Sequence, residues 1–217
     1  MRYLSENPRS SDTGKGRNMK TAIIDYGAGN LFSVKNALDH LGAPCTVTKD
    51  AAELEKADRI ILPGVGAFPD AMKALGETGL IDTIKEQTKK KPMLGICLGM
   101  QMLFDKSFEF GETDGLGLIP GTVELMTPPD LLIPQIGWNR LIYNGKCPIL
   151  EGLGDEPYVY FVHSYAAHCA PENVAAYTDY GSNVPACVFS GNVYGCQFHP
   201  EKSGEKGLQI LRNFLAL

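Results

Sequence analysis

The 217-residue chain has no apolar run near the roughly 20 residues that a membrane-spanning helix needs, and its first residues lack the apolar centre of a secretory signal. It has no excess of basic charge either: 20 Lys and Arg stand against 25 Asp and Glu, net −5 and dispersed, which leaves no footprint for nucleic acid and no polybasic strip for a membrane surface. A cytoplasmic protein with small-molecule or protein partners is expected. The six cysteines (Cys45, Cys97, Cys147, Cys169, Cys187, Cys196) form no C-x-x-C pair and no regular spacing, which argues against a disulfide framework and fits free thiols in a reducing compartment. His163, His168, Cys169 and Cys187 match no common zinc spacing, so no metal is expected. A phosphate-binding G-x-x-x-x-G-K-[ST] loop is absent, which argues against ATP hydrolysis. Gly27-Ala28-Gly29-Asn30 starts like a dinucleotide fingerprint, but Phe32 occupies the third glycine position and Asp39 is too near to be the ribose acid. No cofactor is expected, and there is no internal repeat.

What the chain does contain is a regular alternation. Residues 1–18 offer almost nothing apolar to bury and are expected to be a disordered N-terminal extension, with the folded domain spanning 19–217. Residues 21–25 read as a strand and 31–41 as a helix, with Asn30 as N-cap and Gly42 just beyond. Strands follow at 45–48 and 59–62, helices at 71–75 and 80–89, and a strand at 92–96 that delivers Cys97. Such alternation predicts a parallel sheet with right-handed crossovers, in which the turns after Asp25, Leu62 and Ile96 converge on one crevice. The second half is strand-like at 122–126, 138–143, 158–166, 174–178, 186–190 and 193–198, with turn chemistry at Asn144-Gly145 and Ser190-Gly191-Asn192. A closing helix at 205–215 carries Leu208, Leu211 and Leu215 on one stripe, with Ser203 as its N-cap. The expected fold class is α/β: a three-layer, open, mostly parallel sheet with flanking helices and C-terminal antiparallel hairpins.

Chemistry concentrates at two places. In Gly95-Ile96-Cys97-Leu98-Gly99-Met100-Gln101 a cysteine sits where an apolar strand turns into a helix, the arrangement of a nucleophile elbow, and the flanking glycines are expected to permit its sharp turn. The other five cysteines read as small apolar residues. In Gln197-Phe198-His199-Pro200-Glu201-Lys202-Ser203 a base and an acid stand two residues apart, and Pro200 between them favours an extended segment that points both the same way. Cys97, His199 and Glu201 can then act as nucleophile, base and orienting acid. Backbone donors for an oxyanion are expected at Leu98 and, in the turn Pro63-Gly64-Val65-Gly66, at Val65, with Gly64 and Gly66 beside it letting the peptide rotate. Taken singly, His199 also reads as a surface histidine and Glu201 as a first-turn helix charge; their joint occurrence with the cysteine turn favours catalysis. His40 is expected to face solvent, His163 lies in an apolar strand, and Cys196 is expected to face away from the site.

These residues resemble the class I (triad) glutamine amidotransferases. Asp25-Tyr26-Gly27-Ala28-Gly29-Asn30-Leu31, Pro63-Gly64-Val65-Gly66-Ala67-Phe68, Gly115-Leu116-Gly117-Leu118-Ile119-Pro120-Gly121, Gly137-Trp138-Asn139 and Tyr160-Phe161-Val162-His163-Ser164-Tyr165 narrow the likeness to the glutaminase subunits of imidazole glycerol phosphate synthases, from Met19 to the C-terminus. The resemblance implies hydrolysis of L-glutamine to L-glutamate through a thioester on Cys97, with ammonia passing to a (β/α)8 cyclase subunit in a heterodimer of histidine biosynthesis. It also implies that Gln101, Ser164 and Tyr165 help hold glutamine, and that Asn30, Trp138, Asn139 and Lys202 face the partner; for Trp138 core packing is an equal alternative. Two departures are visible: Gln135 replaces the histidine expected before Gly-Trp-Asn, and Cys196 replaces an aliphatic residue or threonine. A paralogue feeding another synthase, such as one amidating a surface sugar, and a non-catalytic docking subunit are the alternatives.

Overall fold

The computed structural model describes residues 19–217, so the expectation for residues 1–18 lies outside the described residues. The first half runs β1 (Thr21–Ile24), α1 (Leu31–His40), β2 (Cys45–Thr48), α2 (Ala51–Lys56), β3 (Arg59–Gly64), α3 (Phe68–Glu77), α4 (Ile81–Thr88), β4 (Met93–Cys97) and α5 (Leu98–Gln101). The second half runs β5 (Phe104–Ser107), β6 (Thr113–Asp114), β7 (Ile119–Leu125), β8 (Gln135–Arg140), β9 (Ile142–Tyr143), β10 (Tyr158–His163), β11 (Tyr165–His168), β12 (Val174–Asp179), β13 (Asn183–Ser190), β14 (Val193–Cys196) and α6 (Gly204–Leu215).

An eight-stranded sheet in the order β2-β1-β3-β4-β14-β13-β12-β9 forms the spine. Its strands are parallel from β2 through β14 and antiparallel from there to β9. Every residue of β3 is buried, and the period-two pleat sends its side chains to two cores in turn. Ile60 and Leu62 join Phe68, Leu75, Phe104 and Ile119 on one face. Ile61 joins Leu38, Leu94, Phe161, Phe198 and Phe214 on the other. The expected three layers and C-terminal antiparallel strands are present. A small four-stranded sheet, β11-β7-β5-β6, and the pair β10-β8 complete the molecule.

Local signals explain most element ends. Asn30 Oδ1 accepts from Ser33 N at 3.3 Å and starts α1; Asp50 Oδ1 accepts from Ala52 N at 2.9 Å and starts α2, a helix the apolar periodicity does not announce because it spans six residues. The segment read as one strand over 158–166 is two strands broken at Ser164, and the one over 138–143 is broken at Leu141. Ser203 occupies the N-cap position of α6 but does not cap it. Its hydroxyl donates to His199 O at 2.6 Å and accepts from Tyr160 N at 3.0 Å, tying the end of the sheet to β10. The buried stripe of α6 is Gly207, Ile210, Leu211 and Phe214, with Leu208 and Leu215 only half-buried.

Candidate active site

β4 delivers Cys97 with φ 55° and ψ −115°, in the left-handed region that a residue with a side chain occupies only under strain. The strain belongs to Cys97 alone; Gly64, Gly95 and Gly99 do not have positive φ. Close approach of backbones, not turn freedom, requires these glycines. A Cβ on Gly99 would stand 1.9 Å from Leu62 O, one on Gly64 2.4 Å from Gly99 N, and one on Gly95 2.6 Å from Gly99 O. The elbow is thus wedged against β3, where Gly64 is the register partner of Cys97. The helix that follows Cys97, α5, has only four residues and so offers little of a long helix dipole.

His199 reaches the site from the far half of the chain because β14 pairs in parallel with β4, Cys196 beside Ile96. Its backbone N–H donates to Tyr160 O at 2.9 Å, fixing it against β10. The residue is extended (φ −97°, ψ 97°), but Pro200–Lys202 form one 3-10 turn instead of continuing the extended segment. Glu201 still meets the ring: His199 Nδ1 and Glu201 Oε1 are 2.7 Å apart, with both side chains almost wholly buried. The turn is held against α6, where a Cβ on Gly207 would stand 1.9 Å from Pro200 O. Burial by itself would push the His199 imidazole down, but hydrogen bonding and charge from Cys97 and Glu201 outweigh it and raise it to about 9. Cys97 and Glu201 thus both bear on the His199 ring and favour its protonated form. Cys97 Sγ also lies 3.9 Å from Val162 O. Tyr26, close by, donates to Pro63 O at 3.0 Å, and burial, then the Cys97 charge, push its phenol well up.

A cavity of about 510 Å³ opens over the relay, and Val65, Leu98, Gln101, Ser164, Tyr165 and Lys202 line it together with Cys97 and His199. Gln101 is rigidly held, its Nε2 donating to Tyr165 O at 2.9 Å and to Gln197 Oε1 at 3.0 Å. Both amide protons are thereby engaged. Trp138 is 53 % exposed and packs edge-on to Tyr160, their ring centroids 6.1 Å apart. Asn139 points to the other side of β8 and accepts from Gln135 Nε2 at 3.0 Å; the Asn30 side chain is occupied as a helix cap. Cys196 stands away from the cavity, across from Cys187 in the apolar core near Cys147. Hydrogen bonding to Cys187, then burial, push the Cys147 thiol far up. Of the four residues weighed as a zinc set, Cys187 is in that core whereas His163 lines the cavity; among the described residues no group of three or more His, Cys, Asp or Glu is placed to hold a metal ion.

Sequence reasoning missed part of the wall. Glu109, Phe110, Pro134, Val162 and His163 also line the cavity. Glu109 is the wall's carboxylate outside the relay; it is buried and its Oε2 accepts from Phe68 N at 2.8 Å, at the start of α3 just beyond Gly66. Nothing in the irregular stretch around it marks it, because the turn between β5 and β6 brings it in.

The family model of glutamine amidotransferase class-I matches residues 22–217. An imidazole glycerol phosphate synthase subunit HisH of Bacillus thuringiensis (strain Al Hakam) is 50% identical over 194 residues, covering 89% of this chain and 92% of that protein. A Bacillus cereus (strain ATCC 14579) protein of the same name is 52% identical over the same shares. Among solved structures, PurLQS from Thermotoga maritima superposes with a TM-score of 0.73 at 20% identity over 91% of this chain and 98% of that one. A structure titled glutamine amidotransferase superposes with a TM-score of 0.71 at 23% identity over 90% and 97%. At those identities the structures speak for the fold alone.

Proposed function

The chain belongs to the class-I glutamine amidotransferase family, and from that premise we propose that it is the glutaminase subunit of an imidazole glycerol phosphate synthase, releasing ammonia from L-glutamine for histidine biosynthesis. The observation that carries this is the meeting of Cys97, His199 and Glu201 under one cavity. With Nδ1 bonded to Glu201, His199 turns Nε2 toward the sulfur, and the Cys97 thiolate attacks the side-chain carbonyl carbon of glutamine. As the carbon–nitrogen bond breaks, the nitrogen takes the imidazolium proton and leaves as ammonia. Water then gives its proton to His199 Nε2 and attacks the thioester, releasing glutamate and the sulfur.

Each tetrahedral intermediate carries an oxyanion. The Leu98 N–H, at the first position of α5, and the Val65 N–H, in the turn beyond Gly64, are its donors, each worth roughly 3 kcal/mol. Val65 is 42 % exposed in a turn that Gly66 (φ 97°) leaves free to rotate, so a partner pressing on that turn would control the rate. Gln101, Ser164 and Tyr165 hold the substrate, and Glu109 offers the negative charge that its α-ammonium needs. The chain works as a subunit of a synthase complex. Its partner is a (β/α)8 cyclase subunit in a cytoplasmic heterodimer, which receives the ammonia on a face that bears the exposed Trp138 and Lys202; Asn139 lies on the other side of β8 and the Asn30 side chain is held as a helix cap. Exposed Val65, Phe110, Ile136 and Trp138 give that face its apolar character. No cofactor is needed, since the relay itself supplies nucleophile and proton.

Glutamate release by the chain mixed with a candidate cyclase and the cyclase's own substrate tests the reading. Cys97→Ala is expected to abolish release while the complex still forms; release that survives this substitution rejects the mechanism.

A further inference from the structure

His163 and Gln135 are register partners on β10 and β8, on the inward face of that pair. His163 Nδ1 lies 2.8 Å from Tyr165 O, and a carbonyl oxygen only accepts, so this nitrogen carries the ring proton and Nε2 presents a lone pair. Burial holds the ring neutral, down at about 4, the Tyr165 carbonyl opposing and the nearby His199 charge adding to it. Gln135 is fully buried and donates through Nε2 to Asn139 Oδ1, leaving Oε1 as a second acceptor. Neither His163 Nε2 nor Gln135 Oε1 finds a hydrogen-bond partner among the described residues, although both atoms are shut off from solvent. An orphaned buried acceptor costs more than a hydrogen bond contributes, and two on one face of a strand pair beside a reactive cysteine call for a shared donor. Pro134, the neighbour of Gln135, and His163 itself line the cavity over Cys97.

From this juxtaposition we infer that His163 Nε2 and Gln135 Oε1 form a receiving site for the small N–H donor released at Cys97, ammonia. The inference rests on the glutaminase reading. Ammonia brings three N–H donors and one lone pair, so it satisfies both acceptors at once, which the thioester, having no N–H at its carbonyl carbon, does not. The site would draw the nitrogen off the acyl carbon and slow its return. By the same route, an added amine would enter from this site to attack the thioester.

Hydroxylamine is the probe. With L-glutamine and the complete synthase, it intercepts the thioester on Cys97 as γ-glutamyl hydroxamate, and the ratio of hydroxamate to glutamate reads the site independently of how much active enzyme is present. In the unaltered protein that ratio is expected to saturate with hydroxylamine concentration. Gln135→Met and His163→Leu each remove one acceptor and are expected to lower the limiting ratio about five-fold, the factor for one hydrogen bond, whereas Gln135→Glu keeps an acceptor oxygen and stays within two-fold of the parent. A ratio that rises linearly to molar hydroxylamine in the unaltered protein, or that is unchanged in Gln135→Met, overturns the receiving site. Should His163→Leu fail to fold, those two results decide. Loss of both products in every protein, the parent included, would refute the glutaminase reading instead.

Discussion

Glu201→Gln removes a charge while keeping the shape of the side chain, and it isolates what the carboxylate does for His199. The ring nitrogen and the carboxylate oxygen are 2.7 Å apart in a site closed to water, where a charge-assisted hydrogen bond is strong. The imidazole stands at about 9 against an ordinary 6.5, a preference for the protonated ring of about 3 kcal/mol, to which Cys97 and Glu201 contribute against the opposing effect of burial. With an uncharged amide in place of the acid, burial gains on what remains. The ring's NMR titration midpoint is expected to fall toward or below 6.5, and kcat for glutamate release to drop about 10- to 100-fold, the loss of one hydrogen bond to a charged group. Stability follows the same balance. A histidine whose midpoint is higher folded than unfolded contributes fully below about pH 6.5 and loses that contribution as pH rises through about 9. The parent's melting temperature should therefore decline across that window, and the variant's should decline less. A midpoint that stays near 9 in Glu201→Gln, with kcat within three-fold of the parent, would refute the assignment of Glu201 as the group that holds the imidazolium.

Glycine substitutions test the wedge at the elbow. Gly99→Ala places a methyl 1.9 Å from Leu62 O and is expected to destabilise by about 3 kcal/mol or more in denaturant unfolding, whereas Gly76→Ala in α3, with open space around it, is expected to stabilise by about 0.5–1 kcal/mol. Glu109→Gln keeps an acceptor for Phe68 N but removes the carboxylate charge from the cavity wall; steady-state kinetics should show KM for glutamine raised about 10- to 100-fold with a smaller change in kcat. Trp138→Ala removes an exposed ring that only edges Tyr160, so the isolated chain should melt within a few degrees of the parent while co-purification with the cyclase weakens.

Much of this molecule is legible in the chain because the signals are local. Apolar runs such as 60–62 and 93–96 mark buried parallel strands, since a strand covered on both faces has no polar side to show. Asn30 marks a helix start through its own side chain. The elbow is legible from Cys97 and its glycines, although the glycines serve packing where turn freedom was the expected reason. Other features carry no local mark. The break at Ser164, which turns that residue toward the cavity, depends on β10 pairing with β8 while β11 pairs with β7. The hydroxyl of Ser203 abandons the cap because the Tyr160 amide beside it offers a better use.

The amino-acid sequence alone marked most of the alternating strands and helices of the first half and singled out Cys97, His199 and Glu201 as candidates, because pleat periodicity, side-chain chemistry and the constraint of Pro200 act within a few residues. Only the tertiary structure decided which distant atoms share one space. Parallel pairing of β14 with β4 carries His199 to Cys97 across a hundred residues, the turn after β5 brings Glu109 into the cavity wall, and the register of β10 on β8 sets His163 opposite Gln135. Those contacts depend on sheet register and loop closure, which no short stretch of residues encodes, since each is settled by how much apolar surface the whole fold can bury at once.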